Sequence, residues 1–150
     1  IHNIIQRLRP IALEKFGIRE TLTEAVEQWN NIHEPIKFIL RAESISLSQE
    51  SEISLFRVAQ ECVNNSIKHS KASKIEITLN QSSRELETIL IVKDDGIGIS
   101  ANRLENPDRF GIRGMKERMQ SLGGELVIKT NSNIGTEIIA TLPYSLTKSI

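Results

Sequence analysis

The amino-acid sequence predicts an α+β fold, a two-layer α/β sandwich in which helices cover one face of a mixed, mostly antiparallel sheet. Two stretches, residues 22–29 and 112–122, repeat apolar side chains at helical spacing. Residues 75–79 alternate apolar and polar side chains, as in a strand with one buried face. Two final strand patterns, residues 125–130 and 136–142, flank a turn and predict a hairpin. Helices on one side of such a sheet form the two-layer sandwich.

The amino-terminal part predicts two helices joined by a linker. Residues 1–9 (IHNIIQRLR) have apolar side chains at helical spacing before Pro10 and lack methionine. We therefore expect the end of a helix that begins upstream, in a chain cut from a longer protein. The amphipathic helix over residues 22–29 ends before Pro35.

The middle of the chain predicts alternating strands and helices. Residues 37–41 (KFILR) form a short strand candidate, and Ser48 is the expected N-cap of a long helix that reaches about His69. After the strand of residues 75–79 and a turn, the continuous apolar run at residues 88–92 is typical of a central strand. Gly123 and Gly124 end the helix over residues 112–122.

Composition excludes several classes of function. The 19 basic and 19 acidic side chains balance to a net charge of +0, so there is no basic field for nucleic acid and no polybasic anchor for a membrane. The one cysteine, Cys62, excludes an internal disulfide framework and fits a reducing cytoplasm. No apolar run approaches the roughly 18 residues that a spanning helix needs.

The polar face of the long helix has residue types suited to phosphate chemistry. Glu61 and Asn65 lie one turn apart, with Lys68 beside them. A carboxylate, an amide oxygen and an ammonium in a row could serve a water, a magnesium ion and a phosphate. A solvated helix face with an ion pair is the alternative, and the helix alone favours it.

The loop DDGIG follows the most apolar strand. The carboxylate of Asp94 could accept a hydrogen bond from an exocyclic amine such as that of adenine. Gly96 and Gly98 allow a close approach of the backbone that a Cβ would prevent. Asp-Gly pairs also form ordinary turns, so the loop alone leaves both interpretations open.

Glycines also mark the start of the second amphipathic helix. In the segment GIRGM, Gly111 and Gly114 let backbone amides face an anion, and the helix dipole favours negative charge at this end. Glycines that only relieve crowding are the alternative, and the segment alone favours that interpretation.

Four motifs follow one another in a fixed order: E-x-x-x-N on a helix, D-x-G-x-G after a strand, G-x-x-G-M before a helix, and Gly135-Thr136 before a strand. The last alone would predict only a hairpin turn. In this order the motifs resemble the nucleotide-binding domain shared by histidine kinases, gyrase-type ATPases, MutL-type repair proteins and the Hsp90 chaperone. This resemblance implies the Bergerat-type ATP-binding fold.

The sequence is most similar, within that group, to sensor histidine kinases that signal to LuxR-type response regulators, and it resembles the hexose-phosphate sensor kinase type. The resemblance extends from about residue 8 to residue 143. The segments that show it are LRPIALEKFGI, LFRVAQECVNNSIKHSKAS, VKDDGIGI, FGIRGMKERMQSLGGEL and GTEIIATLP.

The resemblance implies ATP and Mg²⁺ as cofactors. Glu61 matches the catalytic glutamate that positions or deprotonates water in the hydrolysing relatives, and Asn65 matches the magnesium ligand. Asp94 matches the aspartate that reads adenine, supported by Thr136. The other expected nucleotide-binding positions are Lys68, His69, Gly96, Gly98, Gly111, Arg113, Gly114, Met115 and Gly135.

The sequence departs from the family pattern at three places. Asp95 replaces the asparagine common in the wider group, and the lid of about residues 99–110 is short. It lacks a separate phenylalanine-containing box, for which Phe110 is expected to stand in. None of the histidines, His2, His33 and His69, matches the phosphoacceptor segment of the subfamily.

The resemblance also implies a domain division and partners. Residues 1–33 would contain the end of a dimerisation helix and a connecting helix, and residues 34–146 the ATP-binding domain. The domain would transfer the γ-phosphoryl group to a histidine on its own dimerisation helices, within a homodimer, for relay to a LuxR-type response regulator. It would lie in the cytoplasm, without membrane or nucleic-acid contact, in a parent anchored in a bacterial inner membrane.

Three alternatives stay open at this point. The chain could be a nucleotide-binding regulatory module without kinase activity, although Glu61 and Asn65 argue against that. It could be a serine kinase of the anti-sigma-factor type, against which the segment LRPIALEKFGI argues. It could also be an α+β domain with no nucleotide site, which four motifs in this order make improbable.

Overall fold

The structure, a computed structural model, describes residues 11–99 and 111–144. Its elements confirm the predicted α+β class. The helix expected over residues 1–9 and most of the expected lid, including Phe110, lie outside the described residues. The elements in chain order are α1 (Ile11–Phe16), α2 (Ile18–Ile32), β1 (Lys37–Ala42), α3 (Gln49–Asn65), a π-helical turn (Ser66–Ser70), β2 (Lys74–Ser82), β3 (Glu87–Asp94), α4 (Ile112–Ser121), β4 (Glu125–Asn131) and β5 (Gly135–Pro143).

The strands of the described residues form one sheet in the order β1-β2-β3-β5-β4. β1 pairs parallel with β2, and the other three pairings are antiparallel. The predicted mixed, mostly antiparallel sheet is therefore confirmed. The order brings the end of β3 beside the start of β5, where Asp94 pairs with Thr136.

The core lies between the sheet and the helices. Alternate side chains of β2, such as Ile75 and Leu79, are completely buried. Burial of one such side chain contributes about 1.5–3 kcal/mol to folding. From the helical layer, α3 supplies a row of buried apolar side chains. The buried apolar residues of α3 are Leu55, Phe56, Val58, Ala59, Cys62 and Val63.

The long helix begins and ends close to the predicted residues, but its last turn is wider. Ser48 is the N-cap, as predicted, and its Oγ accepts a hydrogen bond from the amide of Ser51. The α-helix ends at Asn65, and the π-helical turn continues it to Ser70. The Ser70 hydroxyl donates to the Ser66 carbonyl at 2.6 Å and so fastens this turn. π-Helical turns occur frequently at functional sites.

The helix predicted over residues 22–29 is longer, because a side chain from α3 caps its start. α2 begins at Ile18, whose amide donates to the Glu52 carboxylate at 2.8 Å. Burial raises the pKa of Glu52, and this hydrogen bond offsets part of that rise. Leu22 and Val26 of α2 share the core of the sheet. The division between residues 1–33 and 34–146 stays a prediction.

Polar side chains also satisfy the exposed edge of the sheet. Asn30 of α2 bonds both backbone groups of Phe38 in β1, at 2.8 and 3.1 Å, so the outer side of this strand is partly covered. Across the described ranges, none of the helices combines the length and the apolar character needed to span a bilayer.

Candidate functional site

A pocket opens between the end of α3, the end of β3, the start of β5 and the start of α4. It encloses about 440 Å³, part of which is open to solvent. The residues that line it are Cys62, Asn65, Ser66, His69, Ser70, Asp94, Gly98, Ile99, Ile112, Thr136 and Ile138.

Asp94 is fixed at the bottom of this pocket. Asp94 is only 5% exposed. Its two carboxylate oxygens accept hydrogen bonds from different elements of the fold. Oδ2 accepts from the Ser66 hydroxyl at 2.7 Å, and Oδ1 accepts from the amides of Gly96 at 3.0 Å and Thr136 at 3.3 Å. A carboxylate that is buried needs such donors. A carboxylate offers a ligand only acceptor capacity.

Two glycines make this arrangement possible. A Cβ on Gly96 would lie 2.2 Å from the Ser70 carbonyl oxygen, and one on Gly135 would lie 2.0 Å from the carbonyl oxygen of Asp94. Gly135 also has a φ of +140°, which side-chain-bearing residues rarely adopt. The close approach of the backbones around Asp94 therefore requires glycine at both positions.

Beside Asp94, Thr136 is linked to a second threonine. The hydroxyl oxygens of Thr136 and Thr130 lie 3.1 Å apart, across the β4–β5 hairpin. The Thr130 hydroxyl oxygen also accepts from the amide of Ile99 at 2.8 Å. Thr136 is 6% exposed and lines the pocket, so the pair connects the end of the DDGIG loop to the pocket wall.

On the helical side, Asn65 and His69 both line the pocket, and their contact with a nucleotide stays a prediction. Glu61 is exposed one turn before Asn65 and lies against the start of α4. A Cβ on Gly111 would come within 2.9 Å of the Glu61 Oε1 atom. Lys68 is exposed and is not among the lining residues.

The start of α4 combines exposed and buried members of the GIRGM motif. Gly111 is the N-cap, with a φ of +66°, and Arg113 and Gly114 are exposed. The amide of Met115 donates to the Gly111 carbonyl, so the intrahelical hydrogen bonds begin there. The helical amides before it have no intrahelical acceptor, and they carry the positive end of the helix dipole.

The structure places the Met115 side chain in the core beneath the pocket. Met115 is 3% exposed, and its sulfur lies 3.7 Å from the Cys62 Sγ atom. Its predicted contact with a nucleotide stays a prediction. Burial raises the pKa of the Cys62 thiol far above its usual range, and the negative charges of Glu61 and Asp94 raise it further. Cys62 is therefore a protonated core residue.

Asp95, one of the departures from the family pattern, has a structural position outside the pocket lining. Its carboxylate accepts from the amide and the hydroxyl of Ser73, at 2.8 and 2.6 Å, and from the amide of Lys74 at 3.0 Å. Burial raises the pKa of Asp95, but these hydrogen bonds outweigh it, so the pKa is lowered. Asp95 fixes the start of β2, and Asp94 alone of this pair lines the pocket.

No sequence motif pointed to Ser66, Ser70 or Thr130. Ser66 follows the predicted magnesium ligand directly, but its contact with Asp94 depends on the π-helical turn. Thr130 could have been found, because a hairpin with its turn at residues 131–135 pairs residue 130 with Thr136. Of the apolar lining residues, Ile112 belongs to the predicted apolar pattern of the second helix, and Ile138 lies within the predicted strand of residues 136–142.

Comparison with known proteins relates this pocket to a family. Residues 50–146 match the family described as "Histidine kinase-, DNA gyrase B-, and HSP90-like ATPase". The chain is 35% identical over 148 residues to the signal transduction histidine-protein kinase/phosphatase DegS of Brevibacillus brevis, with 97% of this chain and 37% of that protein covered. It is 32% identical over 147 residues to the corresponding kinase/phosphatase UhpB of Salmonella typhimurium, with 95% and 28% covered.

The fold agrees with a solved structure as well. The histidine kinase domain of the blue-light activated histidine kinase from Erythrobacter litoralis EL346 superposes with a TM-score of 0.73 at 21% identity, covering 84% of this chain and 60% of that one. The chain spans little more than a third of the length of DegS and less of UhpB. These matches confirm the resemblance that the four motifs predicted. The chain belongs to the family of histidine kinase-, DNA gyrase B- and HSP90-like ATPases.

Proposed function

We propose that this chain is the ATP-binding catalytic domain of a two-component sensor histidine kinase. In this proposal it transfers the γ-phosphoryl group of ATP to a histidine of the dimerisation domain of its parent protein. The observation that carries the proposal is the buried Asp94 carboxylate, which three hydrogen-bond donors hold at the bottom of the pocket. Residues of the predicted nucleotide-binding motifs line this pocket. The names of DegS and UhpB support the histidine kinase class.

In this proposal the base of ATP lies at the inner end of the pocket. Asp94 offers an acceptor to the 6-amino group of adenine, and Thr136 lies beside it. Ile99, Ile112 and Ile138 supply an apolar lining against which a flat base can pack. A few fixed polar groups in a largely apolar wall are typical of small-molecule sites.

The phosphates fit the outer end, beside the start of α4. The helix dipole and the amides that follow Gly111 favour an anion at this end. Gly114 leaves the backbone there uncovered, since a Cβ on it would meet nothing within 4 Å. His69 lies in the pocket wall, and we assign Lys68 and Arg113 to the same phosphate region from the motif positions.

The residues also fit a magnesium ion that arrives with the triphosphate. Mg²⁺ prefers oxygen ligands, keeps several waters and is usually bound through one or two protein groups together with phosphates. Asn65 supplies an amide oxygen in the pocket wall. In residues 11–99 and 111–144 no group of three or more His, Cys, Asp or Glu residues could hold a metal by itself. Asn65 would therefore be the protein ligand, and the ion would neutralise phosphate charge.

The protein contributes mainly positioning and electrostatics to phosphoryl transfer. An imidazole nitrogen attacks the γ-phosphorus with its lone pair, the bond from that phosphorus to the β,γ-bridging oxygen breaks, and ADP leaves with the electron pair. The proton on the other ring nitrogen must then be removed. Glu61 lies at the phosphate end of the pocket, against Gly111, and we assign it the role of proton acceptor. Its exposure leaves it accessible to a histidine that a neighbouring domain presents.

The same proposal includes the partners of the parent protein. The dimerisation helices would supply the acceptor histidine within a homodimer, and a LuxR-type response regulator would receive the phosphoryl group. The parent would be anchored in a bacterial inner membrane, with this domain in the cytoplasm. The sequence similarity to sensor kinases over almost the whole chain supports these assignments.

A transfer assay tests the proposal. The chain is incubated with γ-labelled ATP and magnesium, with and without the separately purified dimerisation domain of the parent protein. We expect label on the dimerisation domain, stable to alkali and labile to acid as phosphohistidine is, and none on this chain alone. A Glu61→Gln variant should slow the transfer while still binding ATP. Label on a serine of another protein, or no label on the dimerisation domain, would contradict the kinase assignment.

A further inference from the structure

A short chain of hydrogen-bonding groups leads from the backbone into the pocket. The Ile99 amide donates to the Thr130 hydroxyl oxygen at 2.8 Å, and this oxygen lies 3.1 Å from the Thr136 hydroxyl oxygen. Thr130 and Thr136 are cross-strand partners in β4 and β5. Thr136 lines the pocket, whereas Thr130 does not.

The distances indicate the direction in which these hydroxyls donate. Thr130 has one hydroxyl hydrogen and two nearby acceptors, Thr136 Oγ1 at 3.1 Å and the Gly135 carbonyl at 3.5 Å. Hydrogen bonds between oxygens usually span about 2.5–3.0 Å, and the Thr136 contact at 3.1 Å lies much nearer this range than the Gly135 contact at 3.5 Å, so donation to Thr136 is favoured. In this direction the Thr130 hydroxyl accepts a hydrogen bond from the Ile99 amide at 2.8 Å and donates one to Thr136 Oγ1 at 3.1 Å. The Thr136 hydroxyl then keeps its own hydrogen for a ligand.

Asp94, the neighbour of Thr136 in the pocket wall, determines which ligand groups such a donor would complement. The Thr136 amide donates to Asp94 Oδ1, so the two side chains belong to adjacent positions of the wall. The wall thus presents an acceptor, the carboxylate, next to a donor, the hydroxyl. Adenine presents the complementary pair, because its 6-amino group donates and its N1 accepts. A 6-oxopurine presents the reverse pair, a carbonyl that accepts beside an N1–H that donates.

We propose that Thr130 is a positioning residue that fixes the Thr136 hydroxyl as a donor toward N1 of adenine and so contributes to base selection. This inference rests on the proposed function and adds to it a residue outside the four motifs. Thr130 acts through Thr136 and has no contact with the nucleotide of its own. Chains of hydrogen bonds polarise one another, so the Ile99 amide strengthens the effect.

The test compares two nucleotides that differ only at N1. 1-Deaza-ATP keeps the 6-amino group and has a C–H in place of N1. Calorimetric titrations with ATP and with 1-deaza-ATP are made on the native chain and on Thr130→Val, which keeps the shape and removes the hydroxyl. We expect the native chain to prefer ATP about fivefold, as for one neutral hydrogen bond. In Thr130→Val the affinity for ATP should fall by this factor and that for 1-deaza-ATP should not change.

Matched variants separate positioning from a general structural effect. Thr130→Ser keeps the hydroxyl and should keep the preference for ATP. Thr141→Val is the same substitution elsewhere in the β4–β5 hairpin, away from the pocket, and should change neither affinity. Thermal unfolding is recorded for each variant, and Thr130→Ala replaces Thr130→Val if the latter does not fold.

The outcomes distinguish the inference from the proposed function. A native chain that binds neither nucleotide would refute the proposed function, and the inference with it. A native chain that binds ATP and 1-deaza-ATP equally would overturn the inference alone. Equal weakening of both nucleotides in Thr130→Val would also overturn it, because it would show a structural role.

Discussion

The hydrogen bond between Ser66 and Asp94 should contribute measurably to both stability and nucleotide binding. In Ser66→Ala the buried Asp94 Oδ2 loses the donor that lies 2.7 Å away. A hydrogen bond to a charged group contributes about 1.5–3 kcal/mol, and alanine returns up to about 0.5 kcal/mol through its higher helix propensity. We therefore expect the free energy of unfolding to fall by about 1–2.5 kcal/mol. For a chain of this size each kcal/mol lowers the Tm by about 2–4 °C.

Thr88→Val is the matched control for this prediction. Thr88 is a completely buried hydroxyl on the same strand as Asp94, and it accepts a neutral hydrogen bond from Gln81 at 2.9 Å. Removal of the Thr88 hydroxyl should lower the free energy of unfolding by about 0.5–1.5 kcal/mol. Urea unfolding gives both free energies, and titration with ATP should show weaker binding only for Ser66→Ala. The reasoning is refuted if Ser66→Ala costs no more than Thr88→Val and binds ATP as tightly as the native chain.

Two further predictions concern the surroundings of the pocket. Gly135→Ala should destabilise the chain by at least about 1–3 kcal/mol and abolish ATP binding, because its Cβ would meet the Asp94 carbonyl at 2.0 Å and its φ is +140°. Gly114→Ala is the control, because a Cβ there would lie in open space on α4, and it should stabilise the chain by up to about 1 kcal/mol. Differential scanning calorimetry measures both effects, and an equal loss of stability in the two variants would contradict the prediction. Cys62 should not react with a thiol reagent at pH 8 in the folded chain and should react completely in denaturant, because it is buried and its pKa is raised. Rapid labelling of the folded chain, followed by absorbance, would show that the core beneath the pocket is open.

Most of the fold followed from local patterns. The alternation at residues 75–79 and the apolar run at 88–92 predicted β2 and β3, and Ser48 predicted the start of α3. These patterns succeed because burial on one face sets the period of the side chains. The start of α2 was not predictable in this way, since Glu52 from a distant part of the sequence caps it at Ile18.

The site was predictable as a set of motifs but not as a hydrogen-bond network. Residue type and order identified Asn65, Asp94 and Thr136, and the structure brings all three to one pocket. Ser66 reaches Asp94 only because the helix widens into a π-helical turn, which no local propensity indicated. Met115 illustrates the opposite case, since its motif position suggested the nucleotide while its apolar spacing placed it in the core.

Titration of the purified chain with Mg-ATP, in its native form and as Asp94→Asn, tests the central claim most directly. Asp95→Asn is the matched control, because it removes the same charge from the adjacent residue, whose carboxylate bonds Ser73 and Lys74 instead of lining the pocket. We expect Asp94→Asn to weaken ATP binding at least about tenfold, or about 1.4 kcal/mol, and Asp95→Asn to change it less than about twofold. Equal effects of the two substitutions, or no binding of ATP by the native chain at millimolar concentration, would contradict the assignment of this pocket to ATP.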